Sequence, residues 1–171
     1  MNRNEELKVA VYARVATRKQ IAGITASENS RNAYLYARVK GGACSQIDEC
    51  LLAAQREQLL ECAKAMGYEV ANQEAEIGRW GITEGAERRL LDAAASGEIG
   101  ILLVTACSRL HRDSEHLNDL LKELDHHSVQ IYSLQEGWVN VPEKKGQPTM
   151  LDLLLALRTI DQKAGDLNVI S

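Results

Sequence analysis

Residues 101–113 read Ile-Leu-Leu-Val-Thr-Ala-Cys-Ser-Arg-Leu-His-Arg-Asp. An apolar run this short and continuous has no polar face, so as a strand it must be covered on both sides. That demand narrows the chain to a layered α/β architecture with a mainly parallel sheet. The run breaks off into Ser108, Arg109, His111, Arg112 and Asp113. A buried strand that stops and presents two arginines builds a site at the carboxyl edge of an open sheet. Arg109 and Arg112 are three residues apart, which places them on one face of a helical turn, and paired guanidiniums suit a phosphate. The same residues also fit a solvated helix start with a Ser or Asp cap, and taken alone they leave both readings open.

The rest of the chain alternates strand and helix. Lys8–Val15 has strand alternation, with Val9, Val11, Ala13 and Val15 on one face, and residues 17–32 are polar loop. Ala33–Val39 is a second strand, and it repeats the tetrapeptide Tyr-Ala-Arg-Val of residues 12–15. Asp48–Met66 is a helix with Leu52, Leu59, Cys62, Ala63 and Met66 as its apolar stripe and Gly67 as its stop. A strand over Tyr68–Gln73, a glycine-containing loop over Glu74–Thr83 and a helix over Glu84–Ser96 lead to the central strand at Ile99–Thr105. Ser114–Asp125 carries Leu117, Leu120, Leu121 and Leu124 on one face, and Val129–Leu134 and Trp138–Val141 follow as short strands. Residues 142–149 form an exposed turn. The helix over Thr149–Lys163 is apolar around most of its circumference and needs cover from its own domain and from a partner subunit.

Composition limits what such a domain does. Hydrophobic residues make up 45% of the chain and there is no phenylalanine, so the fold is globular with a core of Leu, Ile, Val and Ala. The net charge of −4 supplies no global attraction to nucleic acid, so any DNA contact must come from a local arginine cluster or a basic module elsewhere. Cys44, Cys50, Cys62 and Cys107 contain no C-x-x-C pair. They read as reduced thiols of a cytoplasmic protein, without a metal centre. Neither a signal peptide nor an apolar run of membrane-spanning length is present. His111 and His116 read as surface residues at a helix start, and Trp80 and Trp138 as packing residues.

The order of these pieces resembles the catalytic domain of the resolvase/invertase family of serine site-specific recombinases. The resemblance spans residues 9–163. It rests on Val11-Tyr12-Ala13-Arg14-Val15-Ala16-Thr17 with Gln20, or the second Tyr-Ala-Arg-Val, followed by Leu-Ala-Ala-Gln-Arg-Glu-Gln-Leu, Gly-Glu-Ile-Gly-Ile-Leu-Leu-Val and Arg109-Leu110-His111-Arg112-Asp113. It implies a three-layer α/β/α fold with a long C-terminal helix. Residues 1–30 would be an extension or extra strand plus loop, 31–147 the catalytic-type domain, and 148–171 a truncated dimerisation helix and tail. It also implies metal-free and cofactor-free phosphoryl transfer, in which a serine after the first strand attacks a DNA phosphodiester. Arg14 or Arg38, with Arg109 and Arg112, would clamp the phosphate, and Gln55 would lie near the site.

The chain departs from that pattern where the chemistry is most demanding. The nucleophile slot holds Ala16 after the first copy and Lys40 after the second. Ser108 stands where an aspartate is expected, Trp80-Gly81 where Ser-Gly is expected, and Glu84 where an arginine is expected. Neither a methyl nor an ammonium group can attack phosphorus in place of a hydroxyl. Thr17 and Ser45 are the neighbouring hydroxyls, with Thr17 on the opposite strand face and Ser45 in a loop. Spacing to Gln55 favours the second copy as the active-site strand, whereas motif length favours the first. The expected function is a strand-exchange domain with little or no cleavage activity, touching DNA phosphates weakly on its own and forming a dimer or tetramer through the 149–163 helix. The rival readings are a non-catalytic dimerising regulator of a recombinase and a small phosphate-ligand binder.

Overall fold

The second Tyr-Ala-Arg-Val copy lies in an interior strand of the sheet, beside the central one. In the computed structural model, which describes residues 31–41, 45–78 and 81–168, strand β1 (Asn32–Val39) is buried from Ala33 to its end. It pairs in parallel with β2 (Glu69–Ile77) on one side and β3 (Ile101–Val104) on the other. Strand β4 (Gln130–Ser133) continues the sheet in parallel, and β5 (Gly137–Trp138) closes it antiparallel. The resulting order, β2-β1-β3-β4-β5, reverses direction between β1 and β3. At such a reversal the connections leave in opposite directions and open a crevice at the strands' carboxyl ends. The first copy, with Arg14, Ala16, Thr17 and Gln20, lies outside the described residues.

Strand periodicity divides the core. Ala33, Leu35, Ala37, Ile101 and Leu103 face helix α1 (Ser45–Ala65), which buries Leu59 and Ala63 against them. Tyr34, Tyr36, Leu102, Val104 and Ile131 face helices α2 (Glu84–Ala95) and α3 (Ser114–His126), the latter through Leu120, Leu121 and Leu124. The expected three-layer arrangement is thus present. Thr83 caps α2 by accepting from the Ala86 amide, and Asp113 caps α3 by accepting from the His116 amide. Gly67 and Gly97 end α1 and α2 at positive φ, +76° and +71°.

Helix α4 (Met150–Asn168) lies against α3, to which Arg158 ties it through Asp119 at 2.7 Å and Glu115 at 2.9 Å. It buries Leu151 and half-buries Leu154 and Leu155. Leu153, Leu157 and Ile160 are 55%, 59% and 62% exposed, so one apolar stripe at i, i+4, i+7 spacing has no cover among the described residues. The chain reaches α4 past Asn140, whose buried side-chain amide works like a missing strand residue. Its Oδ1 accepts from the Ile131 amide at 2.8 Å, and its Nδ2 donates to the Val129 carbonyl at 2.9 Å and to Asp125 at 2.6 Å.

Several expectations need correction. Glu74–Ile77 is strand rather than loop, because the carboxylates of Glu74 and Glu76 reach the hydroxyls of buried Tyr34 and Tyr36 at 3.1 and 2.7 Å and carry the pairing past Gln73. Ser45 is the first residue of α1 rather than part of a loop, and the helix ends at Ala65. The last helix runs five residues beyond Lys163. Arg109 and Arg112 do not share a helical face. Cys107–Arg109 is a single 3₁₀ turn, Leu110 then plugs the core, and Asp113 as cap delays α3 to Ser114.

Candidate functional site: a guanidinium pocket at the sheet reversal

Arg38 ends β1 on the face shared with Tyr34 and Tyr36. It is 4% exposed, an unusual depth for a guanidinium. Its Nη2 donates to the Gly78 carbonyl at 2.5 Å and its Nη1 to the Arg109 carbonyl at 3.5 Å, while its buried Nε–H has no acceptor among the described residues. Burial lowers the pKa of Arg38, the negative charge of Glu76 opposes that shift, and the charges of Arg112 and Arg109 reinforce it. The guanidiniums after β3 therefore lie within electrostatic range of the one that ends β1, as the switch-point topology demands. Arg109 is half-buried and Arg112 exposed. Among the described residues no carboxylate forms an ion pair with Arg38, Arg109 or Arg112.

Gln55 lies at the same sheet edge. Its Oε1 accepts from the Arg38 main-chain amide at 3.2 Å and from Thr105 Oγ1 at 3.5 Å, so it joins α1 to the ends of β1 and β3. Lys40, exposed, follows two residues after Arg38. Ser45 stands ten residues before Gln55 on α1, about 15 Å along the axis. The structure thus joins Arg38, Gln55, Thr105 and the main chain of Arg109 by hydrogen bonds, with Lys40 two residues after Arg38 and Arg112 three residues after Arg109.

The arginine segment is locked to the turn before α2. The Ile82 amide donates to the Leu110 carbonyl at 2.6 Å. Gly81 adopts φ +108°, and a Cβ there would lie 2.6 Å from that same oxygen. His111, half-buried rather than a free surface residue, pairs through Nε2 with Glu87 of α2 at 2.8 Å. His116 pairs with Asp113 on the exposed first turn of α3. Trp138 packs edge-on against Tyr132, with ring centroids 5.0 Å apart, while Trp80 lies outside the described residues.

Sequence reasoning missed Glu76, Gly78 and Thr105. The alternation over residues 69–77 was the available signal for Glu76. The other two act through a carbonyl and a hydroxyl, which leave no pattern. Among the described residues, no cluster of three or more His, Cys, Asp or Glu could hold a metal ion, and no helix is long and apolar enough to cross a membrane.

Comparisons with known proteins agree with the fold. Residues 33–164 match the family model described as the resolvase N-terminal domain, which begins inside β1. The N-terminal catalytic domain of TP901-1 integrase aligns with a TM-score of 0.62 at 22% identity, over 78% of this chain and 98% of that one. A resolvase family site-specific recombinase from Streptococcus pneumoniae aligns with a TM-score of 0.62 at 21% identity, over 81% and 93% of the two chains. At these identities the likeness concerns the fold. The C-terminal catalytic domain of ISC1926 TnpA, an IS607-like serine recombinase, aligns at 26% identity and a TM-score of 0.51, over 60% and 70% of the two chains. Comparison with the curated proteins gives no match.

Proposed function

The chain belongs to the resolvase N-terminal-domain family, and from that premise we propose that it is a serine-recombinase catalytic-type domain that grips a DNA phosphate without cutting the strand. The observation that carries this reading is the set of arginines at the sheet reversal. Arg38 donates to the Arg109 main chain and feels the charges of Arg109 and Arg112, and among the described residues none of the three has a carboxylate ion pair and the buried Arg38 Nε–H has no acceptor. Like charges gathered this way raise the energy of the empty fold, and a bound phosphodiester lowers it by supplying oxygens to all three.

In a reaction of this class a hydroxyl oxygen attacks phosphorus, a new O–P bond forms, and the bond to the leaving sugar oxygen breaks. Guanidiniums stabilise the charge that builds on the non-bridging oxygens. Lys40 fills the attacking slot with an ammonium, which donates hydrogen bonds but has no lone pair for attack. The pocket therefore keeps its charge-stabilising half and gains a further cation. A suicide-substrate oligonucleotide tests this directly. The native chain is expected to form no covalent adduct, Lys40→Ser to form one, and Ala16→Ser to form none. An adduct on the native chain overturns the non-cutting reading, and an adduct only with Ala16→Ser moves the site to the first copy.

The uncovered stripe on α4 favours a second, compatible reading, in which the domain regulates strand exchange by pairing with itself or with an active recombinase. Three exposed apolar residues on one face of a helix suit a subunit interface. Sedimentation of the native chain and of Leu157→Glu is expected to show a dimer lost in the variant. A native monomer at high concentration removes the self-pairing form of this reading.

A further inference from the structure

Glu76 is the direct cross-strand neighbour of Arg38. Opposite charges at such positions ordinarily pair. Here they do not. The Glu76 carboxylate accepts instead from Tyr36 Oη at 2.7 Å, from the Thr83 amide at 3.1 Å and from Thr83 Oγ1. Thr83 is itself the cap of α2. Arg38, left without a carboxylate, turns to two main-chain carbonyls and keeps its Nε–H unpartnered.

We propose that Tyr36 and Thr83 act as positioning residues by holding the Glu76 carboxylate away from Arg38, so that the guanidinium stays open to a phosphate. This rests on the phosphate-gripping reading of the pocket and explains how the pocket stays unquenched beside a glutamate. Held near but unbonded, Glu76 opposes the effect of burial on the guanidinium without occupying its donors. Glu76 bonded to it would occupy the donors a phosphate needs, because a carboxylate engages the same fork. The Tyr36 hydroxyl supplies the restraint from β1, and Thr83 supplies two hydrogen bonds from the start of α2.

The test uses the full chain and a short duplex oligonucleotide, with affinity followed by fluorescence anisotropy across a salt series. Tyr36→Phe with Thr83→Val removes both side-chain hydrogen bonds that hold Glu76 and leaves it only the main-chain amide of residue 83, and the salt slope of binding is expected to fall by about one as a phosphate contact is lost. Adding Glu76→Gln to that pair is expected to restore the slope, because the freed competitor is gone. A purely structural role for Tyr36 and Thr83 predicts the opposite, since a third substitution in the same cluster only adds damage. A slope unchanged in the double variant, or not restored in the triple one, overturns the proposal. Thermal melts of each variant show that the comparison is between folded proteins, and Thr83→Ser alone, which keeps both bonds, is expected to bind as the native chain does. Arg109→Ala and Arg112→Ala separate the two levels of the argument. If they leave the slope unchanged, or the native chain shows no binding, the phosphate pocket itself falls and the restraint with it. If they lower it while the Tyr36/Thr83 variants do not, only the restraint falls.

Discussion

Replacing Asn140 by alanine should destabilise this fold out of proportion to the few atoms removed. The side chain is buried and makes three hydrogen bonds, two of them to main-chain groups on the outer edge of β4. Among the described residues no strand beyond the two residues of β5 satisfies the Ile131 amide and the Val129 carbonyl, and the carboxamide stands in for a peptide unit. Alanine leaves both groups without a partner where water enters poorly. Each such group costs about 1–3 kcal/mol, and the bond to exposed Asp125 adds about 1 kcal/mol, so the loss should be about 3–7 kcal/mol. In urea the midpoint should move down with the m-value unchanged, and the melting temperature should fall by about 6–28 °C. Asn140→Asp should be no better, because a carboxylate cannot donate to Val129 and would face Asp125. A loss under about 1 kcal/mol in Asn140→Ala would falsify the idea that this amide is an integral part of the sheet.

Other perturbations read other parts of the structure. Gly81→Ala should cost at least about 1–3 kcal/mol of stability, since the new Cβ meets the Leu110 carbonyl in a left-handed conformation; equilibrium denaturation measures it, and a neutral result means that the turn can move away from the arginine segment. Thiol labelling with mass mapping should modify exposed Cys50 quickly and Cys107 only on unfolding, because burial first, and then Glu136, push the Cys107 thiol up to about 12. Glu74 is held below the usual carboxylate range, chiefly by its hydrogen bonds from Arg89 and against the opposing effect of burial. Its contribution is therefore present above the unfolded carboxylate pKa and lost as pH falls through the folded value. The stability gap between native protein and Glu74→Gln should be full above about pH 5 and shrink below about pH 4, and a gap that widens in acid contradicts the assignment.

What could be read from the residues followed from burial on two sides. Ile101–Val104 and Ala33–Val39 are so apolar that no other place in a layered fold would hold them, and the helices marked by leucine spacing and by Gly67 and Gly97 fell within a turn of their observed ends. Strand β2 was legible only in part. It lies at the sheet edge, where alternate residues meet solvent, and its glutamates read as loop until the tyrosines they serve are in place. Arg109 and Arg112 could be named because arginine after a buried strand is a local signal, whereas Arg38 was named only as an alternative to Arg14 through the family resemblance. How Arg109 and Arg112 lie could not be read, since it depends on a 3₁₀ turn set by the burial of Leu110 and the cap at Asp113. For Glu76 the alternation of its strand was a signal of position, but its partners arise from a cross-strand register.

Arg38 is seated on the oxygens of residues 78 and 109 and not on their side chains. Every amino acid supplies that oxygen, so the seat survives while side chains around it change over generations. The place of this guanidinium is therefore a property of the path of the main chain, and exchanges of side chain at 78 and 109 leave it where it is for as long as that path is kept.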